Sequence, residues 1–335
     1  PQTGSMGPLA LEPQSPFTLA SGGPFGNMGV PGAKSYHLLI PGYGNPAGIA
    51  NGTANPYFAR FASSPSTTVL ADAASQQPTF FTLWIGNNDV LSYASGGGVG
   101  TDQMAANNTD ITTYGGSDIS HPGVVAGSIQ TVLETLVNQG GAKGAIANIP
   151  SITDIPYFTT VPYAPLNPSN TAFAEQIPAL NQLYGLLNQL FDATGNSNRK
   201  VIFSTDAASA VVIKDETLNN IGPIITGAIL SNPELQAYHP LAEMLGGLYG
   251  QIRQATPEDL LVFTSQTVIG KKPGEGVDYI DDSQTGILVQ LATQYGLPPQ
   301  VVGQFCVPGL TYPLEDRWVL IPSEKQAVLT ATNAY

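Results

Sequence analysis

Residues 80–90 read Phe-Phe-Thr-Leu-Trp-Ile-Gly-Asn-Asn-Asp-Val, and this stretch constrains the fold more than any other. An apolar run rich in β-forming side chains stops at a glycine and is followed at once by three small polar residues. Such a run suits a strand over 79–86 buried in a parallel sheet. Gly86 lets the chain turn sharply at the strand's end. Open α/β sheets place their ligands at the carboxyl ends of their strands. Asn88 there offers an uncharged amide N–H, a suitable donor to a developing oxyanion. Asp89 can bond nearby backbone N–H groups and hold the turn. Gly-Asn-Asn-Asp is equally ordinary loop chemistry, so the four residues alone leave both readings open.

The flanking periodicity extends the α/β pattern. A short helix is expected near 33–40 and another from 65 to 76. Residues 123–139 carry Val124, Val125, Ile129, Val132, Leu133 and Leu136, a helical stripe closed by Gly140-Gly141. Ala142–Ile149 then reads as the next parallel strand, ended by Pro150. Strand, helix, strand is the signature of a doubly wound sheet. Further on, a helix is expected near 171–194, strands at 199–204 and 260–267, and a helix at 283–295. Segment 215–253 reads as an inserted helical hairpin, either packed against the domain or lying over an acyl pocket.

Composition narrows the function classes. Charged residues make up 10% of the 335, with 37 Gly and 28 Pro, yet 42% are hydrophobic, which argues for a folded, loop-rich chain. The formal charge is −13 with 11 Lys plus Arg, and no cationic cluster suited to nucleic acid is visible. Cys306 is the sole cysteine, so no intrachain disulfide forms and a buried structural thiol is expected. No clustered His/Cys/Asp ligand spacing occurs, so a metal enzyme is not expected. No apolar run is long enough to span a bilayer.

A second segment, Asn27-Met-Gly-Val-Pro-Gly-Ala-Lys34, completes a pattern. Gly32 and the 85–89 segment together resemble the second and third sequence blocks of the SGNH, or GDSL-type, hydrolases. His37-Leu-Leu-Ile-Pro-Gly-Tyr-Gly-Asn-Pro, Ala54-Asn-Pro-Tyr-Phe-Ala-Arg-Phe-Ala, Ala147-Asn-Ile-Pro-Ser-Ile-Thr and Pro313-Leu-Glu-Asp-Arg-Trp-Val-Leu extend the likeness to SGNH-type lipoproteins of Bacteroidota over most of the chain. The resemblance implies a three-layer α/β/α fold around a doubly wound parallel sheet, with enlarged loops. It implies one domain over 1–335, incomplete at both ends. It also implies an oxyanion hole made by the Gly32 N–H and the Asn88 side chain, with Gly86 and Asp89 supporting the turn. Gly29 is the lesser match for the glycine.

The family's serine block and its closing Asp-x-x-His block find no match where chain order requires them. Ser5 has no preceding strand and reads as a linker serine within a Pro/Gly/Ser-rich segment over 1–26. The nucleophile is therefore unknown and expected upstream of Pro1, with the histidine downstream of the 323–335 helix. Asp118-Ile-Ser-His121-Pro122 has the spacing of the closing block, but it precedes the 123–139 helix instead of following the last one, and Pro122 suits a first helical turn. Asp118 and His121 are accordingly read as structural. His37 and His239 are read the same way. What the resemblance implies is serine ester hydrolysis of a small-molecule or acylated-glycan ester, at the outer membrane or cell surface, with any membrane link made by a lipid anchor outside this chain. The alternative is a non-catalytic surface lipoprotein that keeps the fold as a binding or assembly module.

Overall fold

The computed structural model describes residues 18–281 and 286–335. Ser5, most of the 1–26 segment and the start of the helix expected at 283–295 lie outside those residues. The chain divides into two compact units, one formed by residues up to Ile155 together with Lys325–Tyr335, the other by Pro156–Glu324. Both mix helices with small sheets, an α/β composition in which helix predominates.

The first unit holds α1 (Val69–Ser75), β1 (Phe80–Leu83), α2 (Asn88–Ser95), α3 (Pro122–Leu133) and β2 (Lys143–Ile146). Thr68 caps α1 by accepting the Ala71 N–H at 3.0 Å. The helix expected near 33–40 is a single 3₁₀ turn, Ser35–Leu39. The stripe that predicts a helix over 123–139 is α3 with its last turn, Glu134–Gln139, loosened to π geometry. β1 and β2 pair in parallel with Phe80 opposite Lys143 and Leu83 opposite Ile146. Gly144 lies against the Phe81 ring, where a Cβ would collide with it.

β1 is not buried on both faces as its apolar run predicts. Phe81 and Leu83 turn toward Leu70, Val132 and Leu136. Phe80 is 61% exposed and Trp84 64%. β2 is exposed along its length. A parallel strand is buried only where layers cover both faces; among the described residues, helices cover one. The strand is also shorter than expected, Phe80–Leu83 in place of 79–86, and β2 spans Lys143–Ile146 in place of 142–149.

The second unit is built on α4 (Ile177–Ala193), β3 (Val212–Lys214), α5 (Gly222–Ser231), α6 (Ala242–Tyr249), β4 (Ile252–Gln254), β5 (Leu260–Leu261), α7 (Ile287–Tyr295) and β6 (Val319–Leu320); α8 (Pro322–Ala334) starts at its end. Ile177, Leu180, Tyr184, Leu187 and Phe191 follow helical spacing and place one stripe of α4 in the core. The expected strand at 199–204 makes no ladder. Its backbone pairs instead with two asparagines of α4: Asn188 takes the Val201 N–H at 2.9 Å and donates to its carbonyl at 2.8 Å, and Asn181 treats Phe203 alike, at 2.9 Å each way. Side-chain amides carry the same donor and acceptor pair as a peptide, so they satisfy an extended segment as a strand would.

The strand expected at 260–267 shortens to β5, followed by a 3₁₀ segment, Phe263–Thr267. The 215–253 segment is a helical pair, α5 and α6, joined by the 3₁₀ segment Pro233–Leu241. Ile225, Ile229, Leu241, Leu245 and Tyr249 belong to the unit's main core, so the pair is packed as a structural element. Gly222 and Gly246 let the two backbones approach, since a Cβ on Gly222 would meet the Gly246 carbonyl at 2.6 Å. Arg253 on β4 binds Asp259 through its two terminal guanidinium nitrogens, at 2.7 and 2.8 Å, and Asp215 through Nε at 2.6 Å. Cys306 is buried, and burial pushes its thiol up to about 12.

Near the end of this unit, Asp316 and Glu324 are carboxyls that burial drives upward, to about 7 and about 8, with the neighbouring Glu216 adding repulsion to both. Glu324 Oε2 accepts the Ile321 N–H at 2.8 Å. A folded-state value above the unfolded one means that the folded protein holds the extra proton, so the ionisation penalty is full above about pH 8 and vanishes below the ordinary glutamate range. Glu324→Gln keeps the acceptor and removes the charge. It is expected to raise the urea midpoint at pH 8.5 and leave it unchanged at pH 4.5; equal effects at both pH values would contradict the assignment.

Candidate functional site

The two sequence segments singled out for oxyanion chemistry meet within the first unit. Val30-Pro31-Gly32-Ala33 forms a turn closed by the Ala33 N–H on the Val30 carbonyl at 3.1 Å. Proline at its second position and Gly32 at its third, with φ +78°, are what a type II turn requires. Gly86 is as tightly specified, with φ +107° and Ile149 Cδ1 only 2.5 Å from where a Cβ would stand. The chain therefore leaves β1 in a conformation open to glycine and enters α2 with Asn88 at its first turn.

Asn88 Nδ2 donates to the Ala33 carbonyl at 2.9 Å. That bond sets the side-chain amide against the Ala33–Lys34 peptide, one residue beyond Gly32. An amide nitrogen carries two hydrogens, so one remains for a further acceptor. The Gly32 N–H has no hydrogen-bond partner among the described residues, whereas the Gly29 N–H is taken by Asn27 Oδ1 at 2.9 Å. Of the two glycines, Gly32 is the one with a donor to offer.

Asp89 does more than hold its own turn. Its carboxylate is fully buried and takes the Ser35 N–H at 2.7 Å through Oδ2 and the Ser35 hydroxyl at 2.9 Å through Oδ1. The 32–35 segment is thereby clamped to the start of α2. Burial drives the carboxyl upward, opposed by Ser120, Ser35 and the Lys34 charge; the buried Ser120 hydroxyl sits beside it without meeting hydrogen-bond geometry. Backbone bonds continue the tie, with the Ser120 N–H on the Asp89 carbonyl at 2.9 Å and the Tyr335 hydroxyl on the Ser120 carbonyl at 2.6 Å.

Lys34 was not legible as part of this centre. It is 3% exposed and its Nζ donates to the Asp118 carbonyl at 2.8 Å. Burial lowers its pKa, against the attraction of Asp89 and Asp118. No sequence signal marks it, because a lysine after Pro-Gly-Ala reads as a solvated loop charge.

Asp118 and His121 each bond partners other than one another. The Asp118 carboxylate accepts the Thr101 N–H at 2.9 Å, the Gln103 amide at 2.5 Å and the Gly115 N–H at 2.8 Å, which hold the 101–118 loop closed. His121 is the N-cap of α3, its Nδ1 accepting the Gly123 N–H at 3.0 Å. The other histidines are engaged with backbone as well: His37 Nδ1 accepts the Lys34 N–H at 3.0 Å, and His239 Nε2 lies 3.4 Å from the Asn232 carbonyl. His37 also stacks on Tyr43, with centroids 4.5 Å apart. Burial, then the nearby Lys34 charge, pushes it down to about 4. Among the described residues no cluster of His, Cys, Asp and Glu could hold a metal ion, and no helix is long and apolar enough to cross a membrane.

No family model, no curated protein and no solved structure matches the chain.

Two outcomes follow from this geometry. Asp89→Ala strands the Ser35 N–H and hydroxyl in a dry site and removes a counter-charge from Lys34, and should cost about 3 kcal/mol of unfolding free energy in urea titrations. Asp89→Asn, which can bond both Ser35 groups, should lose clearly less. His37 behaves in the opposite pH sense to Glu324. Its folded value lies below the ordinary 6.5, so the unfolded chain binds the extra proton and stability falls as pH drops from about 6.5 to about 4. His37→Asn, whose Oδ1 can replace Nδ1, should flatten that decline relative to the parent protein; superimposable pH profiles would refute the role given to His37.

Proposed function

We propose that the chain forms the oxyanion-binding part of an SGNH/GDSL-type serine ester hydrolase. In this reading the 18–155 unit is part of a three-layer α/β/α doubly wound fold. The Gly32 N–H and the second Asn88 amide hydrogen stabilise the tetrahedral oxyanion. The serine nucleophile and the histidine that takes its proton come from outside residues 1–335. The substrate is a small-molecule or acylated-glycan ester, met at the outer membrane or cell surface, and no cofactor takes part.

One observation carries the reading: Asn88 Nδ2 is fixed against the Ala33–Lys34 peptide, one residue beyond Gly32, by its 2.9 Å bond to the Ala33 carbonyl, while the buried Asp89–Ser35 clamp holds the two segments in register. Donors placed before the reaction lower the barrier because no reorganisation accompanies the charge as it forms. The engagement of all three histidines with backbone groups favours a second reading, a non-catalytic surface module, for a protein that supplies no serine and histidine of its own.

The test is steady-state hydrolysis of a p-nitrophenyl acyl ester by the complete protein. Asn88→Ala should lower kcat by about 10²–10³-fold and change KM far less, since the donor acts on the transition state more than on the ground-state carbonyl. An unchanged kcat in a variant with native circular dichroism would remove Asn88 from the mechanism. No turnover by the complete protein would leave the binding module as the function.

A further inference from the structure

Helix α4 carries more apolar surface than its core face uses. Beside the stripe that enters the core, Ala179, Leu183, Leu186, Leu190 and Ala193 repeat at spacings of four, three, four and three, a second stripe along the same helix in which Leu183 and Leu190 also lean on the core. From Ala179 to Ala193 that row is about 21 Å long. It forms one wall of a cleft of about 1420 Å³ lying wholly within the second unit. Ile225, Ile229 and Leu245 of the α5–α6 pair, buried in the core, also border it. Leu186 is left 47% exposed and Tyr238, at the rim, 40%.

The buried Tyr249 hydroxyl among its lining donates to the Thr311 carbonyl at 2.8 Å. The remaining polar lining is chiefly uncharged glutamine and asparagine. Charge is distributed with a bias. The whole chain has 24 Asp and Glu against 11 Lys and Arg, yet the cleft is lined by no carboxylate and by one cation, Lys272. Lys272 stands beside Pro273, which packs near Gly303 at the same rim as Leu288. A cleft with long apolar walls, amide edges and a single positive group at its mouth complements a long-chain carboxylate.

We propose that this cleft binds a free long-chain fatty acid, its alkyl chain along the second stripe of α4 and its carboxylate at Lys272. The site stands on the second unit alone and does not depend on the oxyanion chemistry assigned to Asn88.

The experiment titrates the protein with cis-parinaric acid, read by fluorescence, and displaces it with hexadecanoate or hexadecan-1-ol. Saturable binding at one site per chain is expected, displaced by both competitors. Leu186→Glu, at a half-exposed position, should weaken probe binding by about tenfold or more, because a carboxylate is driven against an apolar chain. Tyr238→Glu is the second variant, should the first lose its native circular dichroism. Lys272→Gln should weaken hexadecanoate roughly threefold, as expected of an exposed ion pair, and leave hexadecan-1-ol unchanged. Asn88→Ala should bind as the parent does, which separates this site from the hydrolytic reading. Absence of saturable binding, or binding indifferent to both glutamate variants, would overturn the proposal. So would light scattering that shows a dimer dissolved by Leu186→Glu, since a second copy would then be the occupant.

Discussion

The buried Asp89 carboxylate is the point on which the 18–155 unit depends. It takes two hydrogen bonds from Ser35, its own carbonyl receives the Ser120 N–H, and Lys34 lies near enough to attract it. Three stretches distant in sequence, at 32–35, 86–89 and 118–120, are thus joined through one residue. A buried carboxylate without such partners would be costly, and burial already drives its proton affinity upward. The same cost makes the arrangement specific. Only a register that delivers both Ser35 donors satisfies the charge, and that register also sets Ala33 opposite Asn88. Placement of the amide is a consequence of electrostatic satisfaction one residue away.

Much of this region was legible because glycine and proline report backbone geometry directly. Pro31-Gly32 encodes its turn, and Gly86 encodes both a positive φ and the absence of room for a side chain. The helical stripe before Gly140 was equally readable, since burial on one face needs only periodicity. What the sequence concealed were pairings between distant side chains. Lys34 became part of the centre through the Asp118 carbonyl, a partner 84 positions away. Asn181 and Asn188 replaced a strand with their amides, so 199–204 kept the burial alternation of a strand without a ladder. Apolar content misled at β1 for a related reason: it fixes the preference for a strand and says nothing of how many layers cover it.

The Asp118-x-x-His121 spacing shows why a short motif needs its geometry. Three positions could bring a carboxylate to an imidazole, but each residue had a closer claimant. Two backbone N–H groups and the Gln103 amide converge on Asp118, while the first turn of α3 presents an orphan N–H to His121. Local satisfaction of backbone donors outweighs a longer side-chain pairing, because leaving such a donor dry costs more than one exposed ion pair returns.

Helix α4 shows how one element can carry several demands at once. Its core stripe, its paired asparagines and its second apolar row occupy separate arcs of the same seventeen residues. The first two arcs are accounted for inside the unit: one is buried, and the other satisfies the backbone at 201 and 203. The third arc is shared, with Leu183 and Leu190 against the core and Leu186 exposed beside the cleft. Leucine in a solvated helix contributes little beyond propensity, and glutamine or lysine would serve there as well. Within that row Leu186, 47% exposed, is therefore the leucine whose apolar surface the unit itself leaves uncovered.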